Sequence, residues 1–351
     1  KVVWGKTLEE DLARRDFTIN AMAYPYIRGR LLEKVIDPYG GQVDLKNKIV
    51  KTVGDADERF KEDALRLLRA IRFCTSLAFD IENETKKAIL VNASLISKIS
   101  GERVRDELFK IIESENNAEG IFLAKEVGIL KYILPELEDC FTVEQKSPKR
   151  HHIFDVGTHC VMSMKFCPSQ DVIVRFATML HDIGKAKVAN ITAEGVRTFY
   201  NHEVVGANLA YSIAQRLRLS KEQTRRLVTF VRWHMFAYDP KMTDAAIRRF
   251  IRRVGVPNIN DMMLLRVGDR KGGGSKATSW RLRELQERIG QQLFEPLSVK
   301  DLKVNGNDVM ETLKIKPGRK VGEVLNALFE EVMQDSKKNE RENLLKRMKE
   351  L

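Results

Sequence analysis

From Asp55 onward, apolar residues return every three or four positions with few interruptions. That period belongs to the α-helix, which brings residues three and four apart onto one face. The windows 58–77, 84–99 and 102–114 carry it most clearly, and Ser100-Gly101 separates the last two. A further helix pair is expected over 118–138. A chain built this way buries helix stripe against helix stripe, so the expected fold class is mainly α. The opening 53 residues read differently. The stretch 17–26 is rich in apolar and aromatic residues, Arg28-Gly29-Arg30 suits a turn, and 31–36 returns. That is a hairpin pattern, ended by Asp37-Pro38-Tyr39-Gly40-Gly41.

Two later stretches look like joints. The polar, basic segment 144–150 contains Ser147-Pro148, and Lys271-Gly272-Gly273-Gly274-Ser275 suits a flexible connection. A helix is expected over 278–294. Turns are expected at Asn305-Gly306-Asn307-Asp308 and Pro317-Gly318, with charged helices over 321–334 and to the C-terminus. There is no fixed-period repeat and no low-complexity tract.

Charge and cysteines narrow the function classes. The chain has 351 residues and a net charge of +12, which favours a polyanionic partner such as nucleic acid. No apolar run approaches the ~20 residues that cross a bilayer, so no membrane partner is expected. Cys74, Cys140, Cys160 and Cys167 form no CxxC pair, which suits a reducing, cytoplasmic setting. The chain opens on Lys1 and enters strand-like sequence at Val2, Val3 and Trp4, as a fragment lacking its beginning would.

The first chemical constellation is Glu62, Asp63 and Arg66. On a helix, spacings of three and four place them along one edge. A carboxylate beside a guanidinium offers an acceptor next to donors. That pattern complements the amine and ring nitrogen of cytosine or adenine, and opposes the carbonyl of guanine or uracil. Arg66, Arg69 and Arg72 recur every third residue, a stripe suited to phosphates. On spacing alone, an ordinary surface ion pair worth about 0.3–0.5 kcal/mol is the better account.

Context alters that balance. Arg14-Arg15-Asp16-Phe17-Thr18-Ile19-Asn20-Ala21 resembles the RRDFTxNA signature of class II tRNA nucleotidyltransferases and bacterial poly(A) polymerases. Ile36-Asp37-Pro38-Tyr39-Gly40-Gly41 with Asp44-Leu45 resembles that family's next motif. Arg59-Phe60-Lys61-Glu62-Asp63 with Arg66, then Arg69-Ala70 and Arg72-Phe73, resembles its nucleotide-selecting EDxxR motif. The resemblance implies that Asp63 and Arg66 pair with the base of CTP or ATP, and that Glu62 orients Arg66. It places Arg15, Asn20, Arg59 and Arg69 about the nucleotide, and Asp16 beside the sheet or in a structural role. It further implies Mg2+ and a two-metal transfer to the tRNA 3′ end. The GGxxRD turn and DxD pair that such a transfer needs are not found before Arg14, so this chain is expected not to add nucleotides by itself.

The second constellation is histidine. All six, His151, His152, His159, His181, His202 and His234, fall within positions 151–234. Histidine is the commonest side-chain metal ligand near neutral pH. The order His159, His181-Asp182, His202, His234, Asp269, with Gly184-Lys185 after the pair, resembles the HD phosphohydrolase superfamily. The resemblance implies a metal site formed by His159, His181, Asp182, His202, His234 and Asp269. Mixed imidazole and carboxylate donors suit a transition metal such as Mn, Ni, Co, Fe or Zn. His151 and His152 fall outside the pattern and suit a surface or phosphate-contacting role. Lys185 suits either a phosphate contact or a solvated helix end.

The expected organisation is a remnant of a mixed α/β nucleotidyltransferase head at 1–53 and a helical neck with EDxxR at 54–143. An all-α HD domain at 144–272 and a helical tail at 273–351 follow. The expected function is CCA addition to tRNA, with metal-dependent phosphoester hydrolysis by the HD domain. The same motifs admit a poly(A) polymerase or an A-adding or CC-adding enzyme. A stand-alone HD phosphohydrolase with an RNA-binding front, or an inactive RNA-binding module, are the readings from other classes. The expected partners are the tRNA 3′ end and nucleoside triphosphates; protein partners are not legible.

Overall fold

The computed structural model describes residues 7–27, 30–31, 34–145, 154–193 and 195–351. Val2, Val3 and Trp4, the Arg28-Gly29 turn, Ser147-Pro148, His151 and His152 lie outside them. The fold is mainly α, with strands confined to short pairs. The chain divides into two compact units, Lys1–Arg232 with Val267–Ser275, and Trp233–Arg266 with Lys276–Leu351.

The first unit opens with the helix Leu8–Ala13, whose first turn is closed by Thr7 accepting from the Glu10 amide. The expected hairpin is present as the antiparallel pair Tyr26–Ile27 and Arg30–Leu31, extended by a bridge between Ala23 and Ile36. Its start is not a strand. Phe17 bridges Thr52, and Thr18–Asn20 then turns as a 3-10 helix. The turn lets Gly41 pack on it; a Cβ there would stand 2.2 Å from the Thr18 carbonyl oxygen. Asp37 ends the hairpin by accepting from the amides of Gly41 (2.7 Å) and Gln42 (2.9 Å), which starts the helix Gly41–Asn47. Acceptors at a helix start satisfy otherwise orphaned N–H groups.

The expected helix over 58–77 is two helices, Ala56–Glu62 and Leu65–Leu77. The break is at Asp63, which adopts φ −146° and ψ 102°. Its carboxylate accepts from the Leu65 amide at 3.1 Å, so the side chain competes with the helical ladder and restarts it. The helices Asn83–Asn92, Gly101–Glu113 and Asn117–Glu126 follow, then the short pair Leu130–Ile133 and Pro135–Cys140. Phe17, Phe60, Leu67, Leu68, Ile71, Ile89, Leu108 and Ile111 form a dry interior beneath them.

The histidine-bearing part of this unit consists of Val156–Lys165, Val172–Leu180, Lys185–Val188 and His202–Arg216, with the hairpin Asn190–Ile191 and Arg197–Thr198. The helix Lys221–Trp233 begins here as well. The glycines at 272–274 are not a loose joint. The helix Ile259–Gly272 carries Gly272 against Ser163, where a Cβ would meet Oγ at 2.3 Å. Gly274, at φ +78°, then ends the helix while the Gly274 and Ser275 amides return to the Lys271 and Arg270 carbonyls. Glycine supplies both the close approach and the left-handed terminus.

The second unit is all-helical among its described residues, with Asp244–Val254, Trp280–Gln292, Gly306–Leu313, Arg319–Gln334 and Arg341–Met348. Asn305-Gly306-Asn307-Asp308 is a helix start rather than a free turn, with Asn305 and Asp308 forming a reciprocal capping box. Val309, Leu328, Phe329, Val332, Met333 and Met348 form its core. Arg248 is buried in it, donating to Gln292 Oε1 and the Met333 carbonyl. No helix among the described residues is long and apolar enough to cross a membrane.

Candidate nucleotide cleft and metal centre

The break at Asp63 is what builds the first site. It turns the Asp63 carboxylate out of the helical ladder and toward a cleft of about 590 Å³. Arg14, Arg15, Asp16 and Asn20 line one part of the cleft; Asp63, Leu65, Arg66, Arg69 and Phe73 line another, and Arg103 completes it. Of the expected nucleotide residues, Arg15, Asn20, Asp63, Arg66 and Arg69 face this space. Arg59 and Glu62 support it from behind. Glu62 pairs with Arg59 at 2.9 Å and with Arg66 at 2.7 Å, and Arg59 also donates to the Ala13 carbonyl. The Arg66 guanidinium donates further to the Arg59 and Arg14 carbonyls, at 3.1 and 2.8 Å.

Asp63 does not pair with Arg66. It is held by Arg103, in the first turn of Gly101–Glu113, with Nη2 at 2.8 Å from Oδ2 and Nη1 at 3.4 Å from Oδ1. Burial works against the Asp63 charge, but the Arg103 guanidinium and the Leu65 amide hold its carboxyl below the usual carboxylate range. Arg103 was not foreseen from the sequence, because nothing local marks a residue 40 positions away.

The arginine stripe also departs from expectation. Arg69 is committed to Asp16 at 2.6 Å, and Asp16 also accepts from the Phe17 amide and the Asn20 side chain. Asp16 thus ties the RRDFTxNA segment to the helix Leu65–Leu77. Arg72 is absent from the cleft lining; it pairs with buried Glu107 at 2.6 Å and lies over the Phe73 ring at 3.9 Å.

In the second site, His159 lies on Val156–Lys165, His181 and Asp182 follow Val172–Leu180, His202 opens His202–Arg216, and Asp269 lies on Ile259–Gly272. Their donor atoms converge. His181 Nε2 is 3.2 Å from Asp182 Oδ2, and His202 Nε2 is 3.2 Å from Asp182 Oδ1. His159 Nε2 is 3.2 Å from His181 Nε2 and 3.3 Å from Asp269 Oδ1. The Nδ1 atoms of His181 and His202 meet the carbonyls of Thr178 and Phe199 at 2.7 and 2.8 Å. Donation there leaves each Nε2 lone pair directed at the carboxylates. Where those nitrogens are unprotonated, lone pairs and anionic oxygens in so small a buried volume repel unless a cation lies among them; with no ion bound, protons on the imidazoles supply that positive charge.

Burial alone would lower the His181 pKa, but the Asp182 and Asp269 carboxylates outweigh it and hold the imidazole up to about 10. Asp182 is held well below the usual carboxylate range; burial opposes this, and the charges of His181 and Lys185 overcome it. Lys185 Nζ lies 2.6 Å from Asp182 Oδ2 and 2.8 Å from Gln145 Oε1, so it is neither a solvated helix end nor an open phosphate contact here. His234 is buried directly after Lys221–Trp233, in the second unit, where its carbonyl accepts from Arg266. The four cysteines are buried and unbridged, and burial pushes the Cys74 and Cys140 thiols up to about 12.

Comparisons with known proteins agree with the cleft's motifs. Residues 1–51 match the family described as "Poly A polymerase head domain". Residues 78–141 match "Probable RNA and SrmB-binding site of polymerase A", and 210–348 match "tRNA nucleotidyltransferase domain 2". The chain is 35% identical over 335 residues to an A-adding tRNA nucleotidyltransferase of Deinococcus radiodurans, covering 92% of this chain and 75% of that protein. It is 38% identical over 239 residues to a multifunctional CCA protein of Halorhodospira halophila, covering 66% of this chain and 55% of the relative. It thus spans about half the length of that multifunctional relative. In fold it is similar to the Bacillus stearothermophilus CCA-adding enzyme solved in complex with CTP, at TM-score 0.69 and 23% identity, over 99% of this chain and 75% of that one.

Proposed function

The chain belongs to the family of tRNA nucleotidyltransferases and poly(A) polymerases, and from that premise we propose that its cleft selects CTP or ATP for addition to a tRNA 3′ end. The observation that carries this reading is the placement of Asp63 and Arg66 side by side in one cleft lining, each held by a different outer partner. The Asp63 carboxylate accepts the N4 amine of cytosine or the N6 amine of adenine. The Arg66 guanidinium donates to cytosine N3 or adenine N1. Guanine and uracil would bring a carbonyl oxygen against the ionised Asp63, which has no proton to give. Arg14 and Arg15 supply positive charge for the triphosphate, and Asn20 is available to the ribose.

The cleft's own carboxylates do not fit the Mg2+ pair of a two-metal transfer. Asp16 is engaged by Arg69 and Asp63 by Arg103. The DxD pair that the family resemblance implies is therefore assigned to residues other than those lining this cleft. Terminal A addition is favoured as a second reading by the similarity to the A-adding relative. Binding of the four nucleoside triphosphates by calorimetry tests the base-reading role. CTP and ATP are expected to bind more tightly than UTP and GTP, and Asp63→Ala to erase the difference. Unchanged selectivity in that variant refutes the role. Products formed by the whole protein on tRNAs ending before each C and before the A separate CCA, CC and A addition.

The second site supports a metal-dependent phosphoester hydrolase of the HD type. Three imidazole nitrogens and two carboxylates fit a transition metal such as Mn, Fe, Co, Ni or Zn. A bound ion of this kind lowers the pKa of water and neutralises phosphate oxygens. The chain's own part is to hold the donor atoms ready. Thr178 and Phe199 fix the imidazole orientations, and Lys185 steadies Asp182. Elemental analysis and hydrolysis of a terminal 2′,3′-cyclic phosphate test this; His181→Ala is expected to lose metal and hydrolysis together. Metal-free protein with no hydrolysis in any of these metals sinks it. The setting is cytoplasmic, which suits four unbridged thiols.

A further inference from the structure

The cleft poses an electrostatic problem. A carboxylate and a guanidinium three residues apart, Asp63 and Arg66, line the same cavity, yet they do not neutralise each other. Each is instead taken up by an outer partner, Arg66 by Glu62 and Asp63 by Arg103. Resting on the base-reading role of the cleft, we propose that Arg103 is a positioning residue that sets base selectivity, by presenting one acceptor position of Asp63 to the nucleotide.

The bond count supports this. An ionised carboxylate has about four acceptor positions. Among the described residues, Asp63 Oδ1 accepts from the Leu65 amide (3.1 Å) and Arg103 Nη1 (3.4 Å), and Oδ2 accepts from Arg103 Nη2 (2.8 Å). One position remains, on Oδ2. The Arg66 guanidinium has five N–H groups. Two on Nη1 go to Glu62 and the Arg59 carbonyl, and one on Nη2 goes to the Arg14 carbonyl. What remains is Nε–H and one Nη2–H. One acceptor and a short donor edge are the complement of an exocyclic amine beside a ring nitrogen.

Arg103 is suited to this work by its geometry. A two-point grip fixes both the position and the plane of a carboxylate, where a single-point cation fixes neither. It reaches in from the start of Gly101–Glu113, and Gly101 lets that helix start seat itself, since a Cβ there would stand 1.9 Å from the Arg216 carbonyl oxygen. Without the Arg103 grip, the Asp63 side chain is released from two of its three bonds. The Arg66 guanidinium lines the same cleft and already acts on the Asp63 charge, so a released Asp63 would turn to it, and the pair would close on itself and silence both halves of the reader.

The test is equilibrium binding of CTP and UTP to the full 351-residue chain, unaltered and as Arg103→Gln, Arg103→Lys and Asp63→Ala. The readout is the ratio of the two affinities, which a general loss of structure does not move selectively. Arg103→Gln is expected to lower the CTP:UTP ratio by about tenfold, the worth of one charge-assisted pairing. Arg103→Lys, which keeps the charge but not the two-point grip, is expected to fall between. If Asp63→Ala collapses the ratio and neither Arg103 variant changes it, the role of Arg103 is overturned and the base-reading role stands. If Asp63→Ala leaves the ratio intact, or the unaltered chain shows no preference for CTP, the base-reading role fails and the inference falls with it. Should Arg103→Gln not fold, the lysine variant decides: an unaltered ratio overturns the proposal, and a partial loss supports it.

Discussion

Glu107 is the residue whose loss should be felt most sharply around the nucleotide cleft. It is buried on Gly101–Glu113, with Oε2 2.6 Å from Arg72 Nε and Oε1 2.9 Å from Lys110 Nζ. Arg72, on Leu65–Leu77, is mostly buried and stacks on Phe73 at 3.9 Å. The pair thus joins the helix that carries Arg66 and Arg69 to the helix that carries Arg103. Glu107→Leu removes the countercharge and leaves the Arg72 guanidinium beneath the surface; Lys110 stays solvated. Breaking a buried pair from one side costs about 3–5 kcal/mol, and the partial exposure of Arg72 argues for the lower end, about 3. With a urea slope of about 3 kcal/mol per M, the midpoint should fall by about 1 M. The asymmetry is the sharper test. Arg72→Met with Glu107→Leu replaces both charges by apolar groups, so the double variant should recover most of the loss. A urea midpoint lowered by less than about 0.3 M in Glu107→Leu, or strict additivity of the two changes, would refute this account.

Other consequences follow from the same contacts. Gly272→Ala should lower the thermal midpoint by the equivalent of about 1–3 kcal/mol, because its Cβ would meet Ser163 Oγ at 2.3 Å. Gly290→Ala, in an exposed helix position with nothing within 4 Å, should instead stabilise by up to about 1 kcal/mol; equal tolerance at both sites would restore the flexible-joint account of 271–275. The Asp63 carboxyl is held down chiefly by Arg103 against its own burial, so its pairing contributes stability above its unfolded value near pH 4 and loses it as pH falls through the lower folded value. Arg103→Gln should therefore flatten the pH dependence of unfolding between pH 5 and 3, and parallel curves for the two proteins would contradict the pairing. If tRNA is the partner as proposed, its binding should weaken steeply with salt, because a chain of net charge +12 would hold RNA mainly through phosphates; affinity that ignores salt would exclude that mode.

Much of this protein is written locally. The three-and-four spacing of apolar residues announced a mainly helical chain, and Asp37 to Gly41 marked the end of the hairpin. Both are properties of a few consecutive residues. The RRDFTxNA and EDxxR motifs named the residues of the cleft for a related reason, since Arg15, Asn20, Asp63 and Arg66 lie on two short segments. The histidine order foretold His159, His181, Asp182, His202, His234 and Asp269 as one group, and within the first unit the donor atoms of His159, His181, Asp182, His202 and Asp269 do converge.

What the sequence could not determine were the partners each charge would choose. Helical spacing suggested an Asp63–Arg66 edge, but the Asp63 side chain stops the helix and goes to Arg103. The arginine stripe looked available to phosphate, but Arg69 goes to Asp16 and Arg72 to Glu107. A glycine run looked like slack, but Gly272 is there because a neighbouring helix leaves no room for a Cβ. Period and turn chemistry act over a handful of bonds and can be read along the chain. Ion pairing and close packing act through space, between residues 35 to 109 positions apart in these cases, so only the folded chain decides them.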